Sequence, residues 1–162
     1  MDEDLEIRSA RPGEEGSILG LIRELAAYEK LLHEVVATEE DLATALFGES
    51  PSAEALVGLV GEGIVAFALF FTSFSTFEGK SGLYLEDLFV KPEFRRQGIG
   101  KKLLAHLAKI AVDRGCRRFE WAALDWNESA IRFYEELGAQ KMEQYRLFRI
   151  TGTALEQLAT SG

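Results

Sequence analysis

A mixed α/β domain is what this 162-residue sequence predicts, and three observations carry that expectation. Apolar periodicity switches between helix and strand spacing along the chain, in the order β-α-α-β-β-β-α-β-α-β. A strand, Gly82–Val90, passes through the basic, glycine-bearing stretch RRQGIGKK (95–102) into an amphipathic helix. Another strand follows that helix, so residues 82–124 form a β-α-β unit, whose parallel crossover is expected to be right-handed.

The elements follow in order. Leu5–Ala10 predicts a strand. Glu14–Lys30 predicts a helix, because Ile18, Leu21, Ile22, Leu25 and Ala26 recur at helical spacing. Thr38 and Asp41 fit a capping box that opens a second helix, which runs to about Phe47 and stops at Gly48. The runs AEALVGLV (53–60) and GIVAFALFFTSF (63–74) are apolar, β-branched and aromatic, and Gly61–Gly63 between them predicts a hairpin turn. The third helix spans Ile99–Arg114 and buries Leu103, Leu104, Leu107, Ala108 and Ala111, with Gly115 at the position of a left-handed cap. Arg117–Leu124 predicts a strand. Asn127–Leu137 predicts a helix with Asn127 as N-cap and Gly138 past its end. QYRLFRI (144–150) predicts a closing strand, and Thr153–Ala159 a last turn or two of helix. Three prolines and no linker suit a single domain, 1–162.

Composition excludes several classes of function. The lone Cys116 rules out an internal disulfide, and with only His33 and His106 beside it no metal site is expected. The start, MDEDLEIRSA, lacks the basic and apolar regions of a leader, and the longest uncharged stretch, Gly63–Phe77, is too short to cross a bilayer. A cytoplasmic protein with no membrane partner is expected. The net charge of −9 is uneven: residues 1–90 carry −13, residues 91–118 carry +7 and residues 119–162 carry −3. The molecule as a whole repels phosphate, so nucleic acid is not an expected partner.

The positive charge gathers where a strand hands over to a helix. The first turn of a helix leaves amides unpartnered, and the helix dipole adds partial positive charge, so the junction is an anion site. Gly98 and Gly100 let a ligand approach the backbone, and Arg95, Arg96, Lys101 and Lys102 add full charges. That combination suits a pyrophosphate. The stretch lacks the Walker A pattern, having Arg95 and Lys102 where glycine and a hydroxyl belong, and it fails the dinucleotide fingerprint at Leu103.

What remains, Arg-x-x-Gly-x-Gly at Arg95, Gly98 and Gly100, resembles the acetyl-CoA loop of the GNAT superfamily of N-acetyltransferases. The resemblance extends over about Ile7–Ala159. LIRELAAYEK, YLEDLFV, RRQGIGKKLL, DWNESAIRFYEELGA and RLFRI occur in order and are similar to the spermidine/spermine branch, with its relatives that act on thialysine. The segments around Glu54–Gly63 and Met142–Tyr145 are shorter than in animal members of that branch.

The resemblance implies a GNAT fold: a mixed, mostly antiparallel twisted sheet, flanked by helices and splayed into a V between residues 82–90 and 118–124. The acetyl-CoA-binding core would be about 82–138. Leu88, Phe89 and Val90 would line the thioester and pantetheine arm. The amides of Arg96, Gln97, Gly98, Ile99, Gly100 and Lys101 would hold the pyrophosphate, and Arg95, Asn127, Glu128, Ser129 and Ala130 would also contact the cosubstrate. Tyr134 matches the family's proton donor. Tyr28, Glu29 and Glu86 match acceptor-binding positions, as do Glu120, Trp121, Ala122 and Glu143. The branch is homodimeric, and its acceptors are small cationic amines.

The chemistry needs such groups. A primary amine titrates near 10.4, so near pH 7 only about one molecule in a few thousand is a nucleophile. Glu86 is the candidate to take the proton, directly or through water. Asp87, its strand neighbour, is expected on the opposite face and is the lesser member of the pair. Tyr134 shares an apolar stripe with Ala130, Ile131 and Leu137, where tyrosines commonly just pack, and its role rests on the family match. Two alternatives stay open: an acetyltransferase for a protein lysine or another amino acid, and a sensor that binds acetyl-CoA without turnover.

Overall fold

Apolar alternation builds a five-stranded sheet whose order along the sheet is the order along the chain, β1-β2-β3-β4-β5. The computed structural model describes residues 4–162; Met1, Asp2 and Glu3, at the head of the segment read above for a leader, lie outside the described residues. The strands are β1 (Leu5–Ser9), β2 (Glu54–Val60), β3 (Gly63–Ser75), β4 (Lys80–Val90) and β5 (Phe119–Trp121). The first four pair antiparallel and β5 runs parallel to β4. The helices are α1 (Glu15–Tyr28), α2 (Glu39–Phe47), α3 (Ile99–Asp113), α4 (Glu128–Glu136) and α5 (Gly152–Ala159). The mixed α/β, mostly antiparallel sheet expected from the sequence is therefore present.

The chain divides into two compact units, one running to Ala122 and one from Ala123 to Gly162. In the first, α1 and α2 bury Ile18, Leu19, Leu21, Leu42 and Leu46 against Ala55, Val57, Leu59, Phe67 and Phe89 of the sheet. Ile18, Val57 and Phe67 are wholly enclosed; burying one such side chain stabilises the fold by about 1.5–3 kcal/mol. The helix α3 buries Ile99, Leu103, Leu104, Leu107 and Ala111, the expected stripe except that Ala108 is exposed.

Local signals read from sequence hold. Thr38 Oγ1 accepts from the Asp41 amide at 3.1 Å while the Asp41 carboxylate accepts from the Thr38 amide at 2.9 Å, completing the capping box. Gly115 has a φ of 76°, as its cap position requires. Two bidentate ion pairs tie separate segments: Arg8 to Glu14, with its shortest contact 2.8 Å, and Arg114 to Glu54, with 2.7 Å.

Three expectations fail on strand extent. The hairpin of β3 and β4 begins at Lys80 and keeps its ladder out to Ser75, beyond the expected ends. β5 is three residues long, not eight. The stretch 144–150 forms no strand, and Tyr145, Leu147, Phe148 and Ile150 are exposed. Its pattern explains why. Leu147 shares a strand face with Arg149, and Phe148 with Arg146, so neither face is apolar enough to fix a register. The second unit also contains no strand to which its backbone groups could bond.

Candidate active site

The basic junction forms as the sequence implies. After a 3-10 turn at Pro92–Phe94, the Arg95 amide donates to Pro92 O at 3.2 Å, and the next amide to reach a backbone acceptor is that of Lys102, which donates to Gly98 O at 3.0 Å. Among the described residues, the intervening amides of 96–101 have no backbone acceptor. Gly98 is the N-cap of α3 with a φ of 78° and ψ of 11°, and no side chain caps the helix. Arg96 also adopts a left-handed φ, 65°, although it carries a Cβ. Such a conformation costs about 1–2 kcal/mol and marks a backbone shaped for a task. Consecutive amides held this way make a concave nest for an anion at the positive end of a helix. Arg96, Gln97 and Lys101 are exposed around it, while Ile99 is buried and anchors the turn.

The first residue of the motif behaves differently. Arg95 Nε donates to Val90 O at 3.0 Å, and its guanidinium lies over two rings, 5.5 Å from the Tyr28 centroid and 5.2 Å from that of Phe89. The positive charge counted above toward the anion is thus held between the end of α1 and the end of β4.

β4 loses its outer neighbour midway. Its ladder to β5 covers only Leu83, Tyr84 and Leu85, opposite Phe119, Glu120 and Trp121, whereas its pairing with β3 continues to Val90. The ladder stops because β5 itself ends at Trp121, so beyond Leu85 the strand β4 pairs with β3 alone.

A second irregularity lies at the same place. Leu69 of β3 pairs with Asp87 while Phe70 pairs with Leu85, so Glu86 is an extra residue, a β-bulge. The bulge reverses the alternation. Phe67 and Phe89 pair and both belong to the core under α1 and α2, and Leu69 packs there too. Asp87, opposite Leu69, therefore faces α1. Leu88 and Val90 face α3, where a Cβ built on Gly100 would meet them at 3.9 and 4.0 Å. Strict alternation had put Asp87 on the far side from Glu86, and the bulge overturns that reading.

Burial and charge follow this placement. Glu86 is exposed, and Asp87 is half-buried. Burial, reinforced by the charges of Glu86 and Glu29, pushes the Asp87 carboxyl up to about 6. Glu29, at the C-cap of α1, is half-buried and is also raised by burial. Tyr84 is raised by burial and by Glu86 and Glu120, so these two acids flank it. Tyr28, Glu29, Glu86, Asp87 and Glu120 thus gather around one stretch of sheet. Trp121 pairs with Leu85 and its ring lies 4.9 Å from that of Phe119, on the other face from Glu120. Ala122 is exposed at the end of the unit.

The remaining expected residues lie in the second unit. Asn127 Oδ1 accepts from the Ala130 amide at 3.4 Å and caps α4, which begins at Glu128 and includes Ser129. Tyr134 is half-buried on α4, its ring 5.7 Å from that of Phe133. Glu143 is exposed and pairs with Lys141 at 3.2 Å. Among the described residues no cluster of His, Cys, Asp and Glu could hold a metal ion, and no helix is long and apolar enough to cross a membrane.

Asp87 is the residue that sequence reasoning underrated. The signal was present: apolar positions run 83, 85 and then 88, 90, a change of phase across the acid pair that marks an inserted residue.

Residues 21–139 match the model of the acetyltransferase (GNAT) family. Thialysine N-epsilon-acetyltransferase of Bos taurus is 43% identical, over 94% of this chain and 96% of its own length. An L-ornithine N5-acetyltransferase of Arabidopsis thaliana is 34% identical, over 94% of this chain and 86% of its own. Among solved structures, an integron cassette protein from the mobile metagenome of V. cholerae superimposes with a TM-score of 0.81 at 30% identity, covering 97% of this chain and 98% of that one.

Proposed function

Because the chain belongs to the acetyltransferase (GNAT) family, we propose that it moves the acetyl group of acetyl-CoA directly to a primary amine of a small cationic acceptor. Polyamines, diamines and thialysine-like amino acids are the acceptor class, in keeping with relatives named for thialysine and ornithine. The observation that carries the reading is the run of amides at 96–101 without backbone acceptors, at the head of α3 and just past the end of β4.

In this reading the amides of 96–101 hold the diphosphate of acetyl-CoA, and the β4 backbone at Leu88–Val90 lies along its thioester arm. Glu86, exposed at the bulge, takes the ammonium proton directly or through water. Amides at the end of β4 stabilise the oxyanion that forms, an effect commonly worth about 3 kcal/mol. Tyr134 returns a proton to the departing thiolate, and the α4 start at Asn127–Ala130 adds contacts to the cosubstrate. Tyr28, Glu29, Glu120, Trp121, Ala122 and Glu143 serve the acceptor. No metal takes part. The whole chain works as one acetyltransferase domain, in the cytoplasm and as a homodimer; the lone cysteine and the exposed Tyr145, Leu147 and Phe148 support these last two points.

The test is coenzyme A release with a panel of amines. Cadaverine, spermidine, ornithine and thialysine should include good substrates, and a lysine peptide should not. Activity on the peptide alone would reject the acceptor class. The cradle has its own test. Gly98→Ala must hold a Cβ at a φ of 78°, whereas a Cβ on Gly100 meets only ordinary contacts, the nearest at 3.9 Å. The left-handed penalty of about 1–2 kcal/mol depopulates the binding-competent loop, so Gly98→Ala should raise the KM for acetyl-CoA about tenfold. Gly100→Ala should change it by less than about threefold, and equal effects would argue against the cradle.

A further inference from the structure

Arg95 opens the basic motif, yet its side chain is engaged by the protein itself. We propose that Arg95 is a positioning residue and not a ligand of the diphosphate: its guanidinium clasps the last residue of α1 to the end of β4, and so fixes the acceptor side of the site against the thioester side. This rests on the N-acetyltransferase reading and adds the residue that registers the two substrates with each other.

Three contacts carry it. Arg95 Nε donates to Val90 O, the last carbonyl of β4, at 3.0 Å. The guanidinium carbon lies 5.2 Å from the ring centroid of Phe89, which is buried in the core beneath α1 and α2. It also lies 5.5 Å from the ring centroid of Tyr28, the last residue of α1, which is otherwise exposed. In the proposed function Tyr28 serves the acceptor and Leu88–Val90 the thioester arm, so one side chain spans both. Among the described residues no ion pair engages Arg95. A cation without a carboxylate partner is drawn to ring faces at such distances. The backbone agrees with this role. The Arg95 amide donates to Pro92 O, and the next residue, Arg96, takes the left-handed φ of 65° that begins the nest. Arg95 is thus pinned one residue before the amides of 96–101, which are left for the diphosphate.

The residue type matters. A guanidinium donates from Nε within its plane while its flat face rests on a ring. A lysine ammonium keeps the charge but is a compact point donor and cannot do both. Lysine therefore separates a role of charge from a role of geometry.

The experiment is steady-state kinetics of the full chain with the best amine of the panel and two donors, acetyl-CoA and S-acetylpantetheine, which ends before the diphosphate. Arg95→Met and Arg95→Lys should each lower kcat/KM for the amine about 10- to 10²-fold, because a small misplacement of two reactants costs that much. The loss should agree within about threefold for the two donors, and calorimetry should find coenzyme A affinity within about threefold of wild type. Gly98→Ala, which acts on the nest, should instead weaken acetyl-CoA more than S-acetylpantetheine. Tyr28→Leu combined with Arg95→Met should lose clearly less than the product of the two single losses, because the two side chains act as one unit. A thermal melt checks folding, and the cycle with Tyr28 reads the clasp from its other side. A loss confined to acetyl-CoA, or recovered by Lys, would make Arg95 a ligand of the diphosphate and overturn the proposal. Unchanged rates in both Arg95 variants, or a double variant that loses the full product, would overturn it too. Failure of wild type to acetylate any amine in the panel would instead reject the proposed function.

Discussion

Tyr134→Phe is expected to lower kcat about 10²- to 10³-fold while acetyl-CoA affinity stays within about twofold. Expulsion of a thiolate is assisted when a phenol hands over its proton as the carbon–sulfur bond breaks. The substitution deletes one oxygen and keeps the ring, so the packing beside Phe133 on α4 is preserved. A phenol titrates near 10, so at neutral pH it carries the proton it must give. Two readouts separate this role from packing. A donor loses turnover and not binding, whereas a packing residue shifts the melting temperature and leaves kcat in place. A donor also imposes a fall in rate at high pH, which the Phe variant lacks. Unchanged kcat in a folded Tyr134→Phe protein would remove Tyr134 from the mechanism.

Glu86→Gln is expected to lower kcat/KM about 10²-fold near pH 7, with a deficit that shrinks as pH rises. The amine arrives at neutral pH almost wholly as ammonium, and at higher pH an increasing share arrives as free amine and needs no base. The bulge makes the effect separable from that of Asp87, because the two carboxylates are adjacent in sequence but differ in burial: Glu86 is exposed and Asp87 is half-buried. A deficit that stays constant from neutral pH to about 10 would mean that Glu86 acts on the fold or on the acceptor, and not on its proton.

Much of this was legible before any coordinates. The capping box at Thr38 and Asp41, the cap at Gly115 and the Asn127 N-cap are local devices, set by bonds a few residues long, and each appears where the sequence put it. The anion nest was legible for the same reason: amides at a helix start lack partners whatever the fold, and Gly98 marks the turn. The strand at 144–150 was not, because a strand exists only through its neighbour and the pattern there specifies no face. The placement of Arg95 was not legible either: its guanidinium rests on rings supplied by Tyr28 and Phe89, from segments far apart in sequence.

The order of elements as far as α4, the family and the unpartnered amides at the head of α3 were legible in the sequence alone, since each depends on spacing within short runs of residues. Which way the acids of β4 point was decided only by tertiary structure. The register between β3 and β4 adds one residue at Glu86, and that single insertion turns Asp87 toward α1 and Glu29. Side-chain direction on a strand is inherited from hydrogen-bond pairing with another strand, and pairing is a property of the folded sheet.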